Sequence, residues 1–192
     1  KEEKLDNKYI ELKEKGKENL AAAEKLLVDN YKFIKEQILV LKNNLQAVYE
    51  RLPRCIIHGD LRPENVKFIG EKLSGVFDWD TAREEARVYD VVRSLFFDLH
   101  KHDIVLNLEE LKKWVIAYQK AAEALGYPLS EEEIRAIPEM IRARLLNQFI
   151  WLVRWNTLEL IQEYPDEIKI FEDTVRALEV LDNLDWESFV QD

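Results

Sequence analysis

Residues 58–65 have the sequence His-Gly-Asp-Leu-Arg-Pro-Glu-Asn, and residues 77–80 have the sequence Phe-Asp-Trp-Asp. Short apolar runs at 54–57, 66–69 and 73–77 flank these polar residues, and each run has the length and composition of a β-strand. A three-residue segment with a glycine separates the last two runs, which predicts a β-hairpin. We therefore expect a strand, a polar loop and a hairpin to bring the two quoted segments together. We expect no other β-structure in the chain.

The spacing of three polar residues matches the layout of a kinase active site. Asn65 follows Asp60 by five positions, and Asp78 follows Asn65 by thirteen, at the end of an apolar run. In kinases an aspartate accepts the proton of the substrate hydroxyl, and an asparagine and a second aspartate bind Mg²⁺. Mg²⁺ prefers carboxylate and amide oxygens, and it offsets the charge on the phosphate during transfer. We therefore interpret Asp60 as the catalytic base and Asn65 and Asp78 as metal ligands.

The two segments also resemble those of a known family of small-molecule kinases. His-Gly-Asp stands where protein kinases have His-Arg-Asp, and Asp78-Trp79-Asp80 is similar to the Asp-(Trp/Phe)-(Asp/Glu) segment of that family. The family includes aminoglycoside phosphotransferases, choline kinases and homoserine kinases. Val88-Tyr89-Asp90-Val91 resembles the family's Tyr-Asp at the start of a helix, and the sequence has no Ala-Pro-Glu segment like that of protein kinases. The specific resemblance covers about residues 56–93.

The resemblance implies an activity, two cofactors and further site residues. It implies an enzyme that uses ATP and Mg²⁺ to phosphorylate a hydroxyl group of an aminoglycoside, an amino alcohol or a similar small molecule. His58 would be a structural residue of the catalytic loop, and Asp90 a buried carboxylate that braces this loop. Arg62, two residues after the predicted base, is placed to contact the transferring phosphate, with a surface salt bridge as the alternative. No motif in the sequence specifies the acceptor.

The resemblance also implies a protein-kinase-like fold, of which this chain would be the C-terminal lobe. The family's ATP site needs an N-terminal lobe with a glycine-bearing loop and a strand lysine. The sequence contains no Gly-x-Gly-x-x-Gly segment, and no strand is predicted before the first helix. We therefore expect the N-terminal lobe to be absent from these residues, whether by design, proteolysis or evolution. We also expect the 192 residues alone to be inactive.

The rest of the chain predicts helices, so the expected fold class is mainly α with a small β-hairpin region, an α+β fold. Apolar residues near the N-terminus recur mostly at steps of three and four, which builds one stripe on a helix. They are Leu20, Leu27, Tyr31, Ile34, Ile38, Leu41, Leu45, Val48 and Leu52. The stripe indicates packing within the domain, with a dimeric coiled coil as the alternative. We expect a single domain over 1–192, with N-terminal helices at 1–52, the catalytic loop and metal-binding hairpin at 53–93, and a helical substrate subdomain at 94–192.

Two helix starts and one interruption are predicted in the C-terminal half. Asn107 followed by Glu110, and Ser130 followed by Glu133, match the signature of a capping side chain with a glutamate three residues later. Pro138 lies inside a helical pattern. Because proline disfavours helical geometry in the residue before it, we expect a short turn to end near Ala136 and a longer helix to begin at Pro138.

The composition limits the class of function. A formal net charge of −10 argues against general nucleic-acid binding, which needs clustered Lys and Arg. The same charge is compatible with a cationic small-molecule substrate and equally with ordinary surface carboxylates. No run of about 18 or more uncharged apolar residues occurs, so we expect no membrane span. The single cysteine cannot form an intramolecular disulfide, which favours a cytoplasmic location.

Two other classes of function stay open at this stage. A non-catalytic, kinase-like helical module that binds or scaffolds a partner would fit the missing lobe, although such a module has no chemical need for Asp60, Asn65 and Asp78 together. A metal-dependent hydrolase would use His58 with the two aspartates as ligands. Hydrolytic zinc usually needs two or three His or Cys donors, and only one His lies near the aspartates.

The remaining candidate residues have simpler interpretations. Cys55, on an apolar strand, is predicted to be a buried core residue and not a reactive thiol. His100 and His102 form a His-x-His pair that suggests a metal site. The segment is predicted to be a helix end, where residues two positions apart do not share a face, so a ligand role is disfavoured. Trp151 and Trp155 share a helix face, which indicates either core packing or an aromatic wall for the acceptor.

Overall fold

The computed structural model describes residues 2–98, 107–154 and 165–186 of the chain. Within these ranges the elements follow in the order α1 (Glu2–Lys15), a 3₁₀ turn (Lys17–Asn19), α2 (Ala22–Tyr49), β1 (Arg54–Ile57), a 3₁₀ turn (Pro63–Asn65), β2 (Val66–Ile69), β3 (Lys72–Val76), a 3₁₀ turn (Trp79–Thr81), β4 (Arg83–Ala86), α3 (Val88–Asp98), α4 (Leu108–Ala124), α5 (Glu131–Arg154) and α6 (Pro165–Asn183).

The described residues are mainly helical with a few short antiparallel strands, which confirms the α+β fold class. β2 and β3 pair with each other as the predicted hairpin, and β1 lies in a separate two-stranded sheet. The three strands predicted from the apolar runs are therefore confirmed. The further assignment to the C-terminal lobe of a kinase-like fold stays a prediction.

β4 is a strand that the sequence pattern did not predict. Its residues are Arg-Glu-Glu-Ala, so it has no alternation of apolar and polar side chains. It pairs antiparallel with β1, with Ala86 opposite Arg54 and Arg83 opposite Ile57. The expectation of no further β-structure was wrong, because β4 owes its conformation to the hydrogen bonds of its partner and not to its own composition.

α5 runs without interruption through Pro138, so the predicted break at that residue was wrong. A proline has no N–H to donate to the carbonyl four residues earlier, which here belongs to Ile134. The indole Nε1 of the buried Trp186 donates to that carbonyl oxygen at 2.8 Å. The helix continues because a side chain distant in the sequence replaces the missing backbone hydrogen bond.

The predicted helix starts are confirmed at both positions. Asn107 Oδ1 accepts a hydrogen bond from the N–H of Glu110 at 3.3 Å, and α4 begins at the next residue, Leu108. At the start of α5, the Ser130 hydroxyl accepts from the N–H of Glu133 at 3.2 Å, and the Glu133 carboxylate accepts from the N–H of Ser130 at 2.9 Å.

None of the described helices is both long enough and apolar enough to cross a membrane.

The described residues group into two compact units. The first unit comprises the described parts of Lys1–Lys42 and Arg142–Asn183, and the second those of Asn43–Ile141 and Leu184–Asp192. All six predicted site residues belong to the second unit. The organisation as a single domain with three functional regions stays a prediction.

In the first unit, part of the apolar stripe of α2 is buried within a single chain. Leu27 and Ile34 have no exposed surface. In the same unit, Phe149 of α5 and Phe171 of α6 are also fully buried, and their ring centroids are 4.1 Å apart. Burial of Leu27, Ile34 and Ile38 within a single chain supports intramolecular packing of this part of the stripe over a dimeric coiled coil.

Replacing Ile34 by alanine should lower the free energy of unfolding by about 2–5 kcal/mol, because a fully buried side chain would leave a cavity. Leu39 provides a matched control on the same helix, since it is 58% exposed. Leu39→Ala should change the free energy of unfolding by about 0.5 kcal/mol or less. Urea unfolding measures both. Similar costs for the two variants, or loss of a dimer with an intact monomer fold, would contradict intramolecular packing.

In the second unit, Arg87 joins the start of α3 to the turn before α5. Its Nε and Nη2 lie 2.6 and 2.7 Å from the two carboxylate oxygens of the fully buried Glu133, and its guanidinium also donates to the carbonyls of Tyr127 and Pro128. Burial alone would raise the pKa of Glu133, but hydrogen bonds from Arg87 and Ser130 outweigh it and hold the pKa below its usual value. This ion pair fixes the end of α3 nearest the candidate site.

Candidate active site

The His58–Asn65 loop, which follows β1, is held at its start by the carboxylate of Asp90 on α3. Asp90 Oδ2 accepts a hydrogen bond from the backbone N–H of His58 at 2.6 Å, and Oδ1 accepts one from the N–H of Gly59 at 2.9 Å. Hydrogen bonds to an ionised acceptor are short and strong. Asp90 is half-buried and not fully buried, but its carboxylate makes the contacts that a brace for this loop requires.

His58 connects the loop to the residue before Asp78. Its side chain is buried, Nδ1 accepts from the backbone N–H of Asp60 at 3.3 Å, and Nε2 lies 2.7 Å from the carbonyl oxygen of Phe77. Since Nδ1 is the acceptor, the geometry assigns the proton to Nε2, which donates to Phe77. The hydroxyl of Thr81 also donates to the carbonyl of His58 at 2.9 Å. Both ring nitrogens of His58 therefore have a backbone partner, Nδ1 the N–H of Asp60 and Nε2 the carbonyl of Phe77.

Gly59 has a backbone conformation that other residues adopt with strain. Its φ is +81°, and a Cβ atom at this position would lie 2.6 Å from the carbonyl oxygen of Thr81. A side chain would therefore meet both an unfavourable left-handed backbone and a steric overlap with main-chain atoms. The second residue of the His-Gly-Asp segment is thus determined by the close approach of the loop to the turn after Asp78.

Gly59→Ala should lower the free energy of unfolding by well over about 1 kcal/mol, because alanine is incompatible with both the backbone angle and the available space. Gly126 is a matched control, since its φ is +80° but nothing lies within 4 Å of the equivalent Cβ position. Gly126→Ala should cost only about 1 kcal/mol, from the backbone angle alone. Chemical denaturation of both variants makes the comparison. An equal cost at the two glycines would show that the overlap with Thr81 relaxes freely.

Asn65 closes the loop and links it to the hairpin. This buried residue donates from Nδ2 to the carbonyl oxygen of Asp60 at 2.9 Å, and Nδ2 lies 3.5 Å from Asp60 Oδ2. Its own backbone carbonyl accepts from the N–H of Phe77 at 2.8 Å. The two backbone groups of Phe77 therefore bind His58 and Asn65, which fixes the chain immediately before Asp78.

Asp78 has a left-handed backbone, with φ 61° and ψ 62°. In the part of the chain that the structure describes, no other non-glycine residue has a positive φ. This conformation costs about 1–2 kcal/mol and is tolerated best by Asp and Asn. Strained backbone of this kind is concentrated at functional sites. It places an exposed carboxylate at the end of the hairpin, one residue from the Phe77 backbone that holds the loop.

The carboxylate of Asp60 lies between two arginines. Arg93 Nη2 of α3 donates to Asp60 Oδ1 at 2.7 Å, and Arg62 Nε lies 3.4 Å from Asp60 Oδ2. Arg62 is thus in an ion pair with the predicted base, the alternative to a phosphate contact that the sequence left open. The Arg93 contact was not predicted, because nothing in the local sequence connects residues so far apart.

The structure brings the six predicted site residues into one network. Direct hydrogen bonds or ion pairs connect His58 with Asp90, Asn65 with Asp60, and Arg62 with Asp60, and Asp78 joins through the backbone of its neighbour Phe77. The network members are His58, Asp60, Arg62, Asn65, Asp78 and Asp90. Their catalytic and metal-binding roles stay predictions.

The donor set of this network fits Mg²⁺. Because the Asn65 amide nitrogen points to Asp60, its oxygen Oδ1 is the atom available to a cation, and Asp78 offers an exposed carboxylate. Among the described residues, no group of three or more His, Cys, Asp or Glu side chains could hold a metal ion by itself. Mg²⁺ is commonly bound by one or two protein oxygens together with substrate phosphates, which is what two ligands of this kind allow.

The geometry disfavours the zinc-hydrolase interpretation. A zinc-binding histidine needs one unprotonated ring nitrogen directed at the metal. In this structure Nδ1 of His58 accepts from the loop backbone and Nε2 donates to Phe77, so neither nitrogen is directed to a cation. His58 is held as a structural residue by both contacts.

Cys55 is exposed, so the prediction of a buried core residue was wrong. β1 belongs to a two-stranded sheet in which only Ile57 of the strand is buried, and an apolar run in such a sheet does not ensure burial. Partial desolvation raises the pKa of the Cys55 thiol, so the group stays protonated at neutral pH.

The predictions for His100, His102, Trp155 and the Trp151 side chain lie outside the described residues.

Comparison with protein-family models matches residues 9–128 of the chain to the phosphotransferase enzyme family, APH. The matched range contains the His58–Asn65 loop, the hairpin and α3. It therefore includes the whole network described above and more than half of the chain.

Curated proteins named homoserine kinase are similar to part of the chain. That of Mesorhizobium japonicum is 40% identical over 108 residues, which are 56% of this chain and 32% of the relative. That of a Bradyrhizobium species is 33% identical over 105 residues, 54% of this chain and 31% of the relative. That of Afipia carboxidovorans is 36% identical over 107 residues, 55% of this chain and 31% of the relative. The matched part of the chain thus spans about a third of the length of these relatives.

Proposed function

The chain belongs to the phosphotransferase enzyme family, and from this membership we propose that it is part of an ATP- and Mg²⁺-dependent enzyme that phosphorylates a hydroxyl group of a small molecule. One observation carries the proposal. Asp60, Asn65 and Asp78 have the residue types and the order that a kinase site uses for its base and its two metal ligands, and hydrogen bonds through Asp90, His58 and the Phe77 backbone connect them in one network.

The network suggests a division of roles. Asp60 would accept the proton of the acceptor hydroxyl, because it is the carboxylate fixed inside the loop by Asn65 and Arg93. Asn65 and Asp78 would hold Mg²⁺ through their oxygens. When bound, the ion offsets negative charge on the phosphate oxygens. Arg62, beside Asp60, would contact the phosphate during transfer, since an arginine at 38% exposure can exchange one anionic partner for another.

We propose a hydroxy amino acid of the homoserine type as the acceptor. The support is that relatives from three organisms bear the name homoserine kinase. Aminoglycosides and amino alcohols are the second candidates, because the same family chemistry acts on their hydroxyl groups. The net charge of −10 is compatible with each of these amine-bearing substrates.

We further propose that an N-terminal lobe covers exposed apolar side chains of the hairpin in the active enzyme, and that these 192 residues alone turn over no substrate. The support is a group of large apolar side chains in and beside the hairpin, each more than half exposed. They are Phe68, Ile69, Leu73, Phe77 and Trp79. Apolar side chains grouped in this way commonly mark an interaction surface.

A direct assay of the full-length protein tests the proposed function. The protein is incubated with MgATP and, separately, with homoserine, choline and an aminoglycoside, and mass spectrometry detects the phosphorylated acceptor. We expect a phosphorylated product with homoserine, and none when the 192-residue chain replaces the full-length protein. Phosphorylation of choline or the aminoglycoside in place of homoserine would keep the phosphotransferase and correct the acceptor. Absence of product with a folded protein would favour the non-catalytic binding module.

A further inference from the structure

One face of α3 contacts the His58–Asn65 loop twice. Asp90 and Arg93 are three residues apart on the helix, so their side chains project from the same face. Asp90 binds the backbone of the loop, and Arg93 binds the side chain of Asp60. The helix therefore contacts both the backbone at the start of the loop and the side chain of Asp60.

The Arg93–Asp60 contact has the geometry of a strong ion pair. The Nη2–Oδ1 distance is 2.7 Å, and the two side chains are only 18% and 19% exposed. Arg62 is 38% exposed and its Nε lies 3.4 Å from Asp60 Oδ2. Short charge-assisted hydrogen bonds with limited solvent access hold a side chain better than longer, exposed contacts do. Of these two contacts of Asp60, the one with Arg93 is the shorter and the less exposed.

α3 is a rigid base for this contact. Val91, Val92 and Leu95 of the helix are buried, and Trp114 Nε1 of α4 donates to the carbonyl of Val91 at 3.2 Å. The ion pair of Arg87 with Glu133 fixes the residue immediately before the helix. These contacts fix the backbone from which the Arg93 side chain extends.

We propose that Arg93 is a positioning residue that holds Asp60 Oδ1, so that Oδ2 is the oxygen presented to the acceptor hydroxyl. This inference rests on the proposed function, in which Asp60 is the base. Oδ2 lies 3.4 Å from Arg62 Nε and 3.5 Å from Asn65 Nδ2, and both distances are longer than the 2.7 Å between Oδ1 and Arg93 Nη2, so Oδ2 is the less firmly held of the two oxygens. Without Arg93 the carboxylate would rotate, and a base displaced by about 1 Å can lose about 100-fold in rate.

The test compares Arg93→Gln with Arg93→Lys in the full-length enzyme, by steady-state kinetics with MgATP and the acceptor identified by the assay above. Arg93→Gln should lower kcat by about 10- to 100-fold while KM for MgATP stays within about twofold. Arg93→Lys should restore part of the lost kcat, because it keeps a cationic donor. Arg135→Gln removes a charge from a side chain that is 60% exposed on α5 and should leave kcat unchanged.

Combination with Asp60→Asn separates positioning from a direct role. If Arg93 acts through Asp60, Arg93→Gln should have almost no further effect on kcat in the Asp60→Asn background. Effects that multiply would show that Arg93 contacts substrate or phosphate itself, and would overturn the inference. An unchanged kcat in Arg93→Gln, with Asp60 intact, would also overturn it.

A crystal structure of the Arg93 variants keeps the test independent of activity. We expect the Asp60 carboxylate in Arg93→Gln to adopt a second orientation or several, and in Arg93→Lys to keep the original one. If Asp60 keeps one unchanged orientation in Arg93→Gln, the inference fails even if the enzyme is a kinase. If Asp60 rotates but the wild-type protein phosphorylates no acceptor, the positioning contact stands and the proposed function fails.

Discussion

Asp78→Asn in the full-length enzyme should reduce turnover to near the background rate, the largest effect that we expect from a single substitution. Asparagine tolerates the left-handed backbone of this residue, so the hairpin should keep its structure. The substitution removes the negative charge that would hold Mg²⁺. Because metal neutralisation of phosphate charge contributes several kcal/mol, the expected loss in kcat is about 10³-fold or more.

A matched control for Asp78→Asn is Glu71→Gln, which removes an exposed carboxylate from the turn of the same hairpin. Its kcat should equal that of the wild-type enzyme. Steady-state kinetics at saturating ATP measures both variants, and circular dichroism checks that both are folded. A wild-type kcat in Asp78→Asn would show that this carboxylate does not bind the metal.

Asp60→Asn should lower kcat while leaving the affinity for MgATP nearly unchanged. An amide can still accept the hydrogen bond from Arg93, but it is a very weak base. Loss of general-base help should lower kcat by about 10²- to 10⁴-fold at most, and by less if proton transfer is late in the reaction. The comparison of kcat with the Kd for MgATP separates this outcome from a binding defect. Full activity in Asp60→Asn would show that another group, or water, accepts the proton.

The candidate site was largely predictable because its residues are close together in the sequence. His58, Asp60 and Asn65 lie in one loop, and a single hairpin separates them from Asp78. Short connections leave few possible arrangements, so the spacing predicted that the His58–Asn65 loop and the end of the hairpin lie near each other. The strands that flank the loop were predictable from their own composition, since each is short and mostly apolar.

The features that were missed depend on partners distant in the sequence. β4 carries mostly charged residues and is a strand because it pairs with β1. α5 continues through Pro138 because the indole of Trp186 binds the carbonyl that the proline leaves free. The contact of Arg93 with Asp60 needs the packing of α3 against the loop. Local patterns record the preferences of a segment but not the hydrogen bonds that another segment supplies.

Titration of Mg²⁺ against phosphoryl transfer, with the wild-type full-length enzyme and the two aspartate variants side by side, tests the proposed site most directly. Asp60→Asn should show the wild-type Mg²⁺ midpoint with a lower maximum rate, because the proposed metal ligands Asn65 and Asp78 are intact. Asp78→Asn should need a much higher Mg²⁺ concentration and reach only a rate near background. A shifted midpoint in Asp60→Asn together with an unshifted one in Asp78→Asn would contradict the assignment and exchange the two roles.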